Sequence, residues 1–441
     1  MPSPKPNFLF FFPDQQRPDW LGFNTELDVR TPTLARLAKE GVRFEEALTP
    51  SPLCAPARAC LASGRSYREC RVPGNECDYP LDLPTYYQAL RDAGYRVAGV
   101  GKFDLHKNTS DFARMDWHLD GSRLLPEWGF TEGVDNEGKI DGSMSYRKAG
   151  GPRGPYMKAL ADRGLADAYV AEHARMRESL GAYTTSLPDD LYCDNWLAEN
   201  GKRFLRGFPN DQPWHLVVNF TGPHNPMDVT GSMRQRVEGR AFPPPIANDT
   251  HAPADLLRNR QNYAAMIENI DRLMGEMIGI VEDRGELERT VIIYSSDHGE
   301  MLGDFGLFGK SVWRYASAHI PLVIRAPGAR TGAVSKALVD LTDLTATMLD
   351  YAGCAPLPEM TGRSLRPVLD APGRPHRDVV VSALGSWRLA YNGRHKLVLE
   401  DGCPPRLFDR ETDPHERTDC AVEHPEIVAR LAARLGEPQP D

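Results

Sequence analysis

The chain has no run of 18 or more apolar residues, the length a membrane-spanning helix requires, so no span is expected. The apolar run Phe8–Phe12 near its start is too short for the core of a secretion signal and reads as a buried strand. With no export signal, the expected location is the cytoplasm. No Cys-x-x-Cys pair occurs among the eight cysteines at 54, 60, 70, 77, 193, 354, 403 and 420, so the usual zinc signature is missing. Most should be reduced thiols, although Cys70 and Cys77 are close enough in sequence to reach each other. Basic residues are not in excess: 52 Lys and Arg face 61 Asp and Glu, for a formal net charge of −9. That argues against nucleic acid as a partner, because neutralising phosphates takes clustered Lys and Arg. It does not exclude an anionic substrate, since a site is local and net charge is global. No internal repeat is visible, and oligomeric state, a homo-oligomer included, is not legible.

What is present is a globular composition, 41% hydrophobic and 26% charged over 441 residues, with room for a large core. Asn7–Phe12, Arg96–Val100, His215–Phe220, Val291–Ser295 and Pro321–Arg325 read as buried strands. Between them, Thr33–Glu40, Leu83–Ala93, Asp189–Leu205 and Arg260–Asp283 have helical periodicity. This alternation predicts an α/β fold whose large, mostly parallel central sheet is flanked by helices. Residues 107–187 are rich in Gly, Asp and Arg and read either as an insertion over the active face or as a plain surface excursion. Pro and Gly gather at 367–377, so residues 1–370 are expected to form the catalytic domain and 371–441 a small C-terminal subdomain. There, Ser386–Tyr391 and His395–Glu400 flank Asn392-Gly393, a hairpin signal, and a short helix follows around Pro425–Leu435.

Three clusters carry chemistry. Cys54 stands just before a short helix in which Pro56 suits the first turn and Gly64 the C-terminal cap. Free amides and the positive end of the helix dipole gather there, and Arg58, one turn on, offers a planar fork to a tetrahedral oxyanion. Asp14-Gln15-Gln16 follows the first strand directly, and Ser296-Asp297-His298-Gly299-Glu300 follows Val291–Ser295. Polar clusters at the carboxyl ends of two buried strands meet on one edge of an open sheet, where ligands bind. Their carboxylates and amide oxygen suit a hard cation such as Ca²⁺ or Mg²⁺.

The order Cys54-x-Pro56-x-Arg58 with Gly64-Arg65, together with the DQQ at 14–16, SDHGEMLGDFGLFGK at 296–310 and LFDRETDP at 407–414, resembles the type I, formylglycine-dependent sulfatases of the alkaline phosphatase superfamily. The resemblance runs from about residue 5 to residue 420 and is weakest in 107–187. It implies that a maturation enzyme oxidises Cys54 to formylglycine (3-oxoalanine), whose hydrate is a geminal diol. One hydroxyl attacks sulfur, a divalent cation lowers that oxygen's pKa, and the second hydroxyl then expels sulfate from a covalent intermediate.

By motif position, the resemblance implies Asp14, Asp297 and His298 as metal ligands with Gln15 as the fourth. The cation is Ca²⁺ first, with Mg²⁺ or Mn²⁺ as alternatives because imidazole is a poor calcium ligand. Lys102 matches the catalytic lysine of the family's Gly-Lys pair, Lys310 the lysine that binds the sulfate, His224 the histidine beside the bridging oxygen, and Asn75 an asparagine near the sulfate. The family's Gly-Lys-x-His has Asp104 in place of its histidine, so His106 either takes the base role or is structural. Trp387 and Arg388, and Trp128 within 107–187, are candidates to line the pocket for the organic group, or else pack in the core. His215 and His319 read as structural. The expected substrate is a small-molecule sulfate ester, aryl, sugar or small alcohol. The alternative is a phosphonate monoester or phosphodiester, which relatives with the same cysteine motif cleave.

Overall fold

The structure, a computed structural model, describes residues 5–436 apart from Asn108, Ser110, Arg175 and Arg177. Those four lie in or beside the expected insertion. An eight-stranded sheet runs through the molecule in the order Ala333–Ser335, Val42–Phe44, Leu322–Arg325, Thr290–Ser295, Asn7–Phe11, Trp214–Asn219, Arg96–Gly101, Glu132–Asp135. The five strands from Thr290–Ser295 to Glu132–Asp135 are mutually parallel. Leu322–Arg325 is antiparallel to both of its neighbours.

The central strands are buried along nearly their whole length and mostly apolar because both faces of the sheet are covered. Along Asn7–Phe11 the side chains alternate: Phe8 and Phe10 enter the core on the face carrying the helix Cys54–Ser63, while Leu9 and Phe11 enter the core beneath the helix Pro253–Asp283. That long helix places Tyr263, Met266, Ile270, Met274, Met277 and Val281 against the sheet at helical spacing. It begins earlier than periodicity indicated, with Pro253 in its first turn, where a missing N–H costs nothing. The expected Leu83–Ala93 helix begins at Tyr86, fixed there by a capping box between Thr85 and Gln88. Asp189–Leu205 is divided: a short 3₁₀ turn precedes the helix Cys193–Gly207.

Within 107–187, helices at Lys139–Ala149, Pro155–Asp162 and Ala166–Ala174 surround a small core of Tyr156, Met157, Leu160 and Tyr169, and Glu132–Asp135 joins the large sheet at its edge. Near the C-terminus, Val380–Leu384, Trp387–Tyr391, His395–Glu400 and Arg406–Asp409 form an antiparallel sheet. Its one face takes Leu431 and Leu435 of the helix Pro425–Gly436, and its other face packs on Leu48, Trp313 and Ala318. All eight cysteines are free thiols; the buried Cys70 neighbours Cys60. No described helix is long and apolar enough to cross a membrane.

Candidate active site

Four parallel strands end on one edge of the sheet, and each is followed by polar residues. Asp14 follows Asn7–Phe11, Lys102 follows Arg96–Gly101, His224 lies beyond Trp214–Asn219, and Asp297-His298 lies beyond Thr290–Ser295. Backbone bonds tie these loops together: Asp14 N–H donates to the Gly222 carbonyl and Lys102 N–H to the Asn219 carbonyl. Gly101 has φ +104°, and a Cβ there would stand 1.9 Å from the Asn219 carbonyl oxygen, so no other residue allows Lys102 to leave the strand at this angle. Gly299 meets the Ala316 carbonyl in the same way.

Cys54 is the first residue of the helix Cys54–Ser63 and is buried. The residue before it, Leu53, offers no capping side chain; Asn75 Oδ1 accepts the Ala55 N–H instead, at 3.0 Å. The Cys54 Sγ lies 3.3 Å from His298 Nε2 and 3.9 Å from Asp14 Oδ1. Arg58, one turn along, bridges both carboxylates, with Nη2 3.2 Å from Asp14 Oδ2 and 3.0 Å from Asp297 Oδ2. Its Nη1 donates to the Lys102 carbonyl and to Asn219 Oδ1. Lys102 Nζ is 2.5 Å from Asp14 Oδ2. Burial pushes the Asp14 carboxyl up, but Lys102, His224 and Arg58 more than offset this and hold it well below its usual range. Burial and Asp14 likewise raise the Cys54 thiol, whereas Lys102, Lys310 and His298 bring it down to about 5.

Asp14, Cys54, Asp297 and His298 each present one ligand atom, all within 4.8 Å of one another, so this buried group could hold a metal ion. His298 Nδ1 faces the Gly299 carbonyl at 3.0 Å, so in the neutral ring Nε2 carries the lone pair and faces the other three. Burial lowers this imidazole, but Asp297 beside it more than offsets that and raises it above its usual value. Gln15 is oriented differently. Its Oε1 accepts from Lys310 Nζ at 2.5 Å, and its Nε2 faces Glu300 Oε2 and Asn225. Lys310 Nζ also lies 2.6 Å from His224 Nε2.

The family model described as Sulfatase matches residues 6–354. The chain belongs to the sulfatase family. Membership places it among the sulfuric ester hydrolases, within the alkaline phosphatase superfamily that the motifs implied. It is 28% identical to a choline-sulfatase of Rhizobium meliloti (strain 1021), over 96% of this chain and 83% of that protein. It is 26% identical to an arylsulfatase of Clostridium perfringens (strain 13 / Type A), over 94% of this chain and 90% of that protein. In fold it is similar to the phosphonate monoester hydrolase of Agrobacterium radiobacter, with a TM-score of 0.79 at 24% identity, covering 98% of this chain and 94% of that one.

Cys54, Asn75, Lys102 and His224 line one cleft of this sulfatase. His106 is not among its described lining residues. Its Nδ1 pairs with Asp78 Oδ2 at 3.2 Å, and its neighbour Asp78 bridges to it across two short extended segments. Trp387 packs in the core with its Nε1 donating to the Ser311 carbonyl, and Arg388 lines a separate cleft with Ser66, Tyr67 and Arg434. Trp128 is buried under the sheet against Phe103. His215 is enclosed in the sheet, where burial takes it down to about 3, and the buried His319 packs against the Tyr315 ring at a tilt of 33°.

Sequence reasoning assigned no role to five residues around the site: Asp104 and Glu300, which it did bring into view, and Lys107, Lys139 and Asn219, which it did not. Asp104, at φ +53°, accepts from Lys102 and Lys107, at 3.2 and 2.8 Å. Its odd identity within the motif was a signal. Glu300 was in plain view as the last residue of Ser296–Glu300, whereas Lys139 had no local mark.

Proposed function

We propose that this sulfatase hydrolyses the sulfate ester of a small molecule with residue 54 acting as formylglycine. The observation that carries the reading is the position of Cys54, at the mouth of a buried helix and in contact range of His298 and Asp14, with Arg58 behind them. Asp14, Asp297 and His298 would hold a divalent cation. Two fully buried carboxylates and an imidazole whose other nitrogen is committed to a carbonyl are a fitting donor set. Oxygen donors favour Ca²⁺, and the imidazole keeps Mg²⁺ and Mn²⁺ as alternatives. When bound, such a cation supplies Lewis-acid stabilisation of negative charge. For Gln15 to join it, its Oε1 must leave Lys310.

The chain's own residues have separable tasks. Arg58 bridges the two carboxylates and holds them in place. Lys102 offers its ammonium to the sulfate oxygens while anchored by Asp14 and Asp104. Asn75 orders the first turn that presents residue 54. His224 and Lys310 stand together on the far side, where the leaving oxygen departs, and move a proton to it. The base role that the resemblance gives to a histidine at 104 does not pass to His106, which faces Asp78; Asp104 occupies that position and organises two lysines instead.

Two measurements test this on protein from a host with a formylglycine-generating enzyme. Mass spectrometry of the Cys54 peptide should show the aldehyde, and an aryl sulfate should be turned over in preference to an aryl phosphodiester or phosphonate monoester. An unmodified thiol in active protein removes the mechanism. Preference for the phosphorus ester moves the assignment to the phosphonate monoester or phosphodiester hydrolases.

A further inference from the structure

The cleft beside Cys54 contains two lysines for which the proposed reaction has no task. Lys107 and Lys139 line it, yet are only 6% and 4% exposed. Lys107 Nζ is 2.8 Å from Asp104 and 2.7 Å from Asp141. Lys139 Nζ is 2.7 Å from Asp228 and 2.9 Å from the Pro226 carbonyl. An ammonium has three donor hydrogens, so each lysine keeps one beyond these two contacts. Asp104 and Asp228 do not line the cleft; Asp141 is the one carboxylate among its described lining residues, against the three ammonium groups of Lys102, Lys107 and Lys139. The surface turned toward a substrate is therefore cationic, with its counter-charges mostly behind it.

The remaining lining decides what sort of alcohol fits. No Phe, Tyr or Trp is among the described lining residues. Quaternary ammonium groups are held over aromatic faces, and aryl groups in apolar walls. The cleft instead presents Asn75 and Thr109, groups that hydrogen-bond to hydroxyls. We propose that the alcohol released by this enzyme is hydroxylated and carries a second anion, a carboxylate or a further sulfate, which Lys107 and Lys139 hold. This rests on the sulfatase reading of the same cleft, and it separates the chain's substrate from choline sulfate.

The test uses the mature enzyme and the sulfate esters of choline, 1-butanol and 4-hydroxybutanoate, chains of similar length with cationic, neutral and anionic ends. The expected order of kcat/KM is anionic, neutral, cationic, the first exceeding the second on the order of ten-fold or more, as one charge-assisted hydrogen bond allows. Lys107→Met and Lys139→Met should reduce that ratio toward one. Lys139→Met strands Asp228, so Lys139→Met/Asp228→Asn is measured beside it and should reduce the ratio equally. A neutral or cationic ester cleaved as well as the anionic one overturns the inference, as does an unchanged ratio in folded variants. Turnover of none of the three, nor of an aryl sulfate, overturns the sulfatase reading and this inference with it.

Discussion

Lys310 Nζ lies 2.6 Å from His224 Nε2, and on the other side of the ring Nδ1 lies 2.6 Å from the Asn225 carbonyl. The carbonyl can only accept, so Nδ1 carries hydrogen and Nε2 accepts from the lysine. Burial, and after it Lys310, push the imidazole well below its ordinary value, so it is neutral at pH 7. One proton thus lies between the two residues, and the acid is the pair. For a poor alkyl leaving group, His224→Ala and Lys310→Ala should each lower kcat by roughly 100-fold or more, with far smaller losses on 4-nitrophenyl sulfate. The double variant should be little worse than the poorer single one. Multiplying losses would show two independent tasks instead.

Arg58 is 3% exposed and is shared by Asp14 and Asp297, both fully buried. Removing one partner of such a cluster leaves uncompensated charge, typically about 3–5 kcal/mol. Arg58→Ala should fall in that range by urea denaturation, and Arg58→Lys should retain part of the stability but lose the fork that spans both carboxylates. A cation bound only by the folded state adds stability that a chelator removes. Chelation should therefore lower the wild-type midpoint and abolish turnover, with recovery on adding back Ca²⁺, Mg²⁺ or Mn²⁺. A midpoint and turnover indifferent to chelation would contradict the assignment of Asp14, Asp297 and His298.

Glu300 ties the loop carrying Gln15 to the segment from Leu302 to Gly309. Its Oε1 accepts from the N–H groups of Leu302 and Gly309, at 2.8 and 2.6 Å, and its Oε2 meets the Gln15 amide. Lys310 follows Gly309 directly and donates to the same Gln15. Glu300→Gln keeps the shape but turns an amide toward the Gln15 amide. Turnover should fall about 10- to 100-fold, as is usual when a residue that orients a ligand loses its partner, with the circular dichroism spectrum unchanged. Wild-type kcat/KM in that variant would exclude a positioning role.

Most of the scaffold was legible because strand ends are local facts. The runs ending near Phe12, Val100, Phe220 and Ser295 are β-branched and aromatic, so polar residues immediately beyond them had to gather on one edge. Asp14, Lys102, His224 and Asp297 came together for that reason. What failed to be legible depends on where a side chain turns after its backbone is placed. Gln15 and Asp14 are adjacent, but Gln15 has φ +68°, which sends its amide to Lys310 and Glu300. Strand alternation separates Trp387, facing the core, from Arg388, facing another cleft. Lys139 enters the cleft only because the helix Lys139–Ala149 is folded back beside Lys102 by packing distant in sequence.

Glu137 adjoins that cleft through Gly138 and offers a test by pH. Its carboxylate is 1% exposed and accepts the first free N–H groups of the helix Pro155–Asp162, from Met157 at 2.8 Å and Tyr156 at 3.2 Å. Those bonds favour the charged form, but burial outweighs them and pushes the carboxyl up to about 7 from 4.5. Between these two values the folded chain binds more protons at this site than the unfolded chain, so the site's contribution to stability declines as pH rises. Each pH unit across that interval is worth about 1.4 kcal/mol, so the loss amounts to roughly 3 kcal/mol from pH 4 to 8. Glu137→Gln cannot titrate and should gain on the wild type by roughly 2.5 kcal/mol between pH 5 and pH 8, measured as urea midpoints at those two values. Parallel pH profiles for the two proteins would mean that the helix amides, rather than burial, dominate, and that Glu137 stays ionised throughout.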